Sequence, residues 1–161
     1  MTVADFNKCV DAHADGLFRF IAKNIRDSEK ARDIVQDTFE KVWLKVADLD
    51  ASKVKSYLFT VAYNTMIDSI RREKHTGDFQ EVKEVLYVSQ NTYSDLKKVL
   101  HEALSKLPEV QRSVILLRDY EGYNYDEIGQ ITGLNESQVK VYIYRARVFL
   151  KQYIGSMEAV L

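Results

Sequence analysis

The stretch Asn124-Tyr-Asp-Glu-Ile-Gly-Gln-Ile-Thr-Gly-Leu-Asn-Glu-Ser-Gln138 reads as a short helix, a tight turn and the start of a second helix. Asn124 is followed three residues later by Glu127, and Asn135 by Gln138. Each pair has the spacing of a capping box, in which two side chains satisfy the free N–H groups of a first helical turn. Thr132-Gly133-Leu134 supplies the turn between them. Over residues 136–153, Val139, Ile143, Ala146 and Leu150 form an inward stripe. On the adjacent face lie Lys140, Tyr144, Arg147 and Lys151, with Gln138 and Arg145 near the start. The pattern is a helix-turn-helix, whose second helix can lie in the major groove of DNA. Arginine and glutamine make paired hydrogen bonds to guanine and adenine edges, and lysine neutralises phosphates. An ordinary helical hairpin with a charged solvent face would carry the same pattern.

Upstream of this unit, Pro108 restarts the chain. Its fixed φ suits the first position of a helix and pushes Leu107 out of helical geometry. That helix is expected to stop at Gly122, and the one before it to start at Ser94 as N-cap, with Leu96, Val99/Leu100 and Ala103/Leu104 inward. Residues 76–95 differ: helical period weakens, Gly77 interrupts, and four acids face one lysine for a net charge of −3. They read as a flexible acidic tether.

Three amphipathic helices precede the tether, over about residues 4–25, 31–46 and 53–74, enough to enclose a small core. The second presents Asp33, Gln36, Asp37, Glu40 and Lys41 away from its apolar stripe, beside the chain's one tryptophan, Trp43. Such a face is usually just solvated, but tryptophan anchors protein interfaces and charged rims orient them. The third carries Tyr57, Asn64, Asp68, Arg71 and His75 at helical spacing, next to Phe59, Tyr63 and Arg72. Aromatics interleaved with Asn and Arg suit unpaired bases. By itself this signal is weak, and taken alone the tyrosines read as core or rim residues and Arg71-Arg72 as a solvated helix end.

Composition narrows the class. The lone cysteine, Cys9, excludes an internal disulfide and a cysteine-rich metal site, and fits a reducing cytoplasm. Residues 1–161 show neither a secretory leader nor the ~18 apolar residues that span a bilayer, so a soluble, unprocessed protein is expected. A net charge of −1 is unusual for a free-standing DNA-binding protein. It divides unevenly: residues 27–50 hold seven acids against four bases, a net −3, and residues 136–153 hold four bases against one acid, a net +3. Opposite faces for different partners follow. An enzyme is not expected, because there is no Gly-rich phosphate loop, no His pair at metal-ligand spacing and no nucleophile with a base. Neither a cofactor nor a metal is expected, and Cys9, His13 and His101 carry no site.

Three stretches taken together resemble the extracytoplasmic-function group of bacterial sigma factors. Asp33-Ile-Val-Gln-Asp-Thr-Phe-Glu-Lys-Val-Trp43 is similar to the family's polymerase-binding segment. Tyr57-Leu-Phe-Thr-Val-Ala-Tyr-Asn64, with Asp68 and Arg71, resembles its promoter-melting helix. Leu107-Pro-Glu-Val-Gln-Arg112 through Arg145-Ala-Arg147 resembles its C-terminal DNA-binding region. The resemblance implies an all-α protein divided at 1–75, 76–94 and 95–161: a three-helix bundle, a flexible acidic linker and a helix-turn-helix domain. It implies that Asp33, Gln36, Asp37, Glu40 and Trp43 bind the clamp helices of the largest subunit of core RNA polymerase. By the same token Tyr57, Asn64, Asp68, Arg71 and Arg72 contact the melted minus-ten strand, and Gln138, Lys140, Tyr144, Arg145, Arg147 and Lys151 grip the minus-thirty-five duplex. An anti-sigma factor is an implied partner. Tyr57, where the family usually has tryptophan, Gly129, where alanine is common, and Val141-Tyr142, in place of a more polar pair, depart from the pattern. A stand-alone helix-turn-helix regulator with an N-terminal sensing or dimerisation bundle is the rival reading, and the Asp33 to Trp43 segment is what it leaves without a use.

Overall fold

The computed structural model describes residues 1–76 and 92–158, with side chains over 1–74 and 95–156. The tether expected at 76–94 lies outside this description, except that helical backbone runs through Thr76 and from Thr92; the side chain of His75 lies outside it too. The described residues form helices joined by short turns, with no strand among them.

The first bundle comprises α1 (Val3–Ile25), α2 (Ser28–Trp43) and α3 (Val54–Thr76). Thr2 and Asp5 close a capping box at the start of α1, and Arg26, left-handed at φ 55°, ends it. Asp27 then caps α2 by accepting from the N–H groups of Glu29 and Lys30. Helix α2 ends at Trp43, earlier than its apolar period suggests, and two short 3₁₀ turns at Val46–Asp48 and Ala51–Lys53 lead into α3. All three helices pack on one another around Leu17, Phe20, Ile21, Ile34, Val42, Leu58 and Met66.

The second half holds α4 (Thr92–Lys106), α5 (Glu109–Ile115), α6 (Tyr125–Thr132) and α7 (Glu136–Glu158). Helix α4 starts two residues before Ser94, the expected cap; Thr92 and Tyr93 contain no helix breaker, and extending a helix already nucleated costs little. Pro108 is the N-cap of α5 rather than its first residue, at φ −53° and ψ 145°. After Ile115 the backbone widens into a π-type turn over Leu116–Tyr120, where the Glu121 N–H donates to the Leu116 carbonyl five residues back. Gly122 at φ 76° releases the chain towards α6.

The two halves are not separate bodies. Their buried side chains form one connected apolar cluster, and α6 packs on α3 while α4 and α5 meet α1. At this seam the Phe59 and Tyr123 rings meet edge to face with centroids 5.2 Å apart. Buried Asn24 accepts from the Ser113 hydroxyl at 3.0 Å, and Arg19 forks onto Glu121 with two bonds of 2.9 Å. An edge-to-face pair adds about 0.5–1.5 kcal/mol beyond its buried area. With Arg19 half exposed, the ion pair is worth at most about 1 kcal/mol. Among the described residues no helix is long and apolar enough to cross a membrane.

Candidate nucleic-acid interface

Local chemistry sets the helix-turn-helix. Asn124 with Glu127, and Asn135 with Gln138, both close reciprocal capping boxes, with bonds of 2.8–3.1 Å. Gly133 ends α6 in the left-handed region at φ 78°, its N–H donating to Gly129. Gly129 is required for a different reason: a Cβ there would stand 2.8 Å from the backbone carbonyl oxygen of Leu134. The turn therefore folds back onto α6 more tightly than an alanine allows, which accounts for the departure at this position.

Helix α7 buries Val139, Ile143 and Ala146, with Leu150 half-buried, and leaves Gln138, Lys140, Tyr144, Arg145, Arg147 and Lys151 exposed. Their polar groups are not equally available. The Gln138 amide oxygen is held by the Asn135 N–H in the capping box. Lys140 pairs with Glu136 at 3.2 Å and lies over the Tyr125 ring. Arg147 is bonded to Asp119 at 2.7 Å, which leaves it a smaller part of its donor fork. Arg145 makes no hydrogen bond or ion pair among the described residues. Tyr144 is 70% exposed. Arg145, Tyr144 and Lys151 are thus the side chains free to meet a ligand at once.

On α3 the polar line Asn64, Asp68 and Arg71 is exposed, with Arg72 beside it and Tyr57 half-buried at its start. Phe59 and Tyr63 are not on that surface. They are 1% and 7% exposed, Phe59 being held between Phe20 and Tyr123, so the core reading holds for Tyr63 and neither ring is a stacking platform. The reason is tertiary: α6 covers the flank of α3 that a lone three-helix bundle would leave open. Of the aromatics on this helix, Tyr57 alone retains a share of the surface.

The third surface lies on α2. Asp33, Gln36, Asp37 and Glu40 are exposed, and Trp43 is 42% exposed. Beside them runs an apolar groove of about 840 Å³ between α1 and α2, floored by Phe6, Phe18, Val35 and Phe39 and closed by Trp43 and Leu44. Phe6 packs against Trp43 at 5.0 Å between ring centroids, so the indole is fixed in place. Leu44, 83% exposed, belongs to this groove and escaped the sequence reading. The run Val42-Trp43-Leu44 signals it, being wider than the inward stripe of one helix can absorb.

Comparison with known proteins finds two family models along the chain. The Sigma-70 region 2 family model matches residues 9–76, and the Sigma-70 region 4 model matches residues 97–150. RNA polymerase sigma factor SigV of Bacillus subtilis is 30% identical over 141 residues, covering 86% of this chain and 84% of that protein. The ECF RNA polymerase sigma factor SigM of the same organism is also 30% identical, over 86% of this chain and 88% of its own. Among solved structures, the sigma factor RpoE in complex with the anti-sigma factor NepR from Bartonella quintana superposes with a TM-score of 0.78 at 26% identity, over 95% of this chain and 98% of that one. CnrH in complex with the cytosolic domain of CnrY gives 0.71 at 25% identity, over 94% and 88%.

Proposed function

We infer the division of labour among these surfaces from one premise: the chain belongs to the extracytoplasmic-function (ECF) group of RNA polymerase sigma factors. It is a sigma factor that binds core RNA polymerase and directs promoter-specific transcription initiation. As a non-catalytic initiation factor it works where the polymerase works, in the cytoplasm. Residues 1–75 act as the polymerase-binding and minus-ten-melting unit, 76–94 as the linker and 95–161 as the minus-thirty-five unit. Asp33, Gln36, Asp37 and Glu40 form the charged rim, and Trp43 the anchor, for the clamp helices of the largest polymerase subunit. Tyr57, Asn64, Asp68, Arg71 and Arg72 hold the unpaired minus-ten strand. Arg145, Tyr144 and Lys151 lead on the minus-thirty-five duplex, with Gln138 and Lys140 positioned by their caps and Arg147 recruited from Asp119.

The observation that carries this reading is that one exposed polar line lies on each of α2, α3 and α7, every one backed by a buried stripe of the same helix. A stand-alone regulator would need the third line but neither of the others. The solved relative in complex with the anti-sigma factor NepR supports such a factor as a further partner.

Geometry adds a requirement. Helix α3 touches α6, and α6 touches α7. At 8–10 Å per helix contact the axes of α3 and α7 are within roughly 20 Å of each other. By their positions the minus-ten and minus-thirty-five elements stand about 25 base pairs apart, more than two turns of B-DNA and roughly 80 Å. The seam must therefore part before both surfaces engage one promoter. The test is to mix the chain with core polymerase and map transcription starts. Gln36→Ala with Asp37→Ala should leave the helical content intact and weaken polymerase binding severely; normal affinity by native gel or light scattering would overturn the α2 assignment.

A further inference from the structure

We propose that Val141 is a specificity-determining residue of the upstream DNA contact, reading the C5-methyl group of a thymine in the major groove. The proposal rests on the assignment of α7 to duplex DNA and adds to it a base and a chemistry. Four residues advance an α-helix by about 400° and seven by about 700°, so Ser137, Val141 and Val148 lie within about 40° of one line along α7. That line lies directly opposite the buried Val139, Ile143 and Ala146, and points straight outward. Val141 is 43% and Val148 36% exposed. Lys140 and Tyr144 border the line on one side and Gln138 and Arg145 on the other, all exposed.

A single exposed apolar residue is ordinary. Position and company distinguish this one. Valine is a poor choice for a solvated helix face, since its branched Cβ loses χ1 freedom there. Val141 neither caps α7 nor enters the core, and it occupies the early part of the helix that a helix-turn-helix inserts into the groove. Lys140, and further along Lys151, lie on one border and fit a phosphate wall, while Gln138 and Arg145 on the other border are polar groups that suit base edges, which places Val141 between them over the groove floor. The floor offers hydrogen-bonding edges everywhere except at the thymine methyl, its one apolar feature. Arg145, one turn further on, has its guanidinium unengaged and fits the O6 and N7 atoms of guanine. The four residues from Val141 to Arg145 advance about 6 Å, so the thymine should lie within roughly two base-pair steps of the base contacted by Arg145.

The test uses the full chain bound to core RNA polymerase and a duplex library randomised across the upstream element. Sequences selected by the wild-type complex should retain a thymine at one position. Replacing that thymine by uracil removes only the methyl group and leaves pairing intact, and should weaken binding roughly fourfold, the value of one buried carbon. Val141→Ala should bind about as weakly to the thymine duplex and be indifferent to uracil, whereas Val141→Ile should keep the discrimination. Since alanine is the better helix former, loss of folding does not account for such a result. If every uracil position is silent, or if Val141→Ala remains as sensitive to uracil as wild type, the proposal is overturned. Retained upstream selection that Arg145→Ala abolishes would then show that the α7 assignment survives without it. No upstream selection at all, with Arg145→Ala equal to wild type, overturns the α7 assignment and this proposal together.

Discussion

Helices α3 and α7 have the same length, 23 residues, and both are assigned to DNA, yet they stand in the protein differently. Helix α3 is packed from two sides, by α1 and α2 across one flank and by α6 across the other. It buries Val54, Leu58, Phe59, Ala62, Tyr63, Thr65 and Met66, so that its free surface is a narrow polar line. Helix α7 buries a single stripe and exposes most of its circumference. The difference teaches that a contact surface on α3 is inseparable from the core beneath it, whereas α7 can change its outward residues with little effect on folding.

The sharpest way to break this comparison is by stability. Phe59→Ala removes a ring held between Phe20 and Tyr123 and should cost about 3–5 kcal/mol in urea unfolding, while Tyr144→Ala on α7 should stay within about 0.5 kcal/mol. Equal effects would mean that α3 is not the buried partner. Next comes Gly129→Ala. In an open helix this change is favourable by up to about 1 kcal/mol, but the Leu134 carbonyl should reverse its sign to a loss of about 1–3 kcal/mol. A stabilised variant would show that the turn can give way.

In binding, Arg145→Ala should lower promoter affinity by about 1–3 kcal/mol, and a template already melted at the minus-ten element should not restore it. Asn64→Ala should leave upstream docking nearly unchanged and impair strand opening in permanganate footprinting, with part of the activity recovered on a pre-opened bubble. Rescue of both variants by the bubble would erase the distinction between the two helices.

The seam supplies the smaller effects. The buried hydroxyl of Tyr123 has no hydrogen-bond partner among the described residues, and burial raises its pKa. Tyr123→Phe keeps the ring against Phe59 and should raise stability by about 1 kcal/mol, measured by thermal unfolding at neutral pH. Arg19→Ala should cost less than about 1 kcal/mol, with the difference from wild type shrinking as salt is added. A salt-independent loss would mean that Arg19 acts by packing its stem.

Where interactions are local, the sequence was enough. Both capping boxes, the Gly133 turn and the break at Pro108 follow from partners within a few residues, and the structure has each of them within a residue of its expected place. The inward stripe of α7 and the exposed acids of α2 were legible for the same reason, because one helix face repeats every three or four residues. The family resemblance lay in the same short segments. Tertiary structure alone decided what α3 does with its aromatics. A helix covered on two flanks has no single apolar face for periodicity to reveal, and the residue that covers Phe59 is Tyr123, in the other half of the chain. The same holds for Arg147, whose partner Asp119 lies 28 residues away, and for the groove beside Trp43, which exists only because α1 lies against α2. Sequence spacing encodes contacts made along one helix; contacts made between helices depend on which faces meet, and that choice is made by the whole core at once.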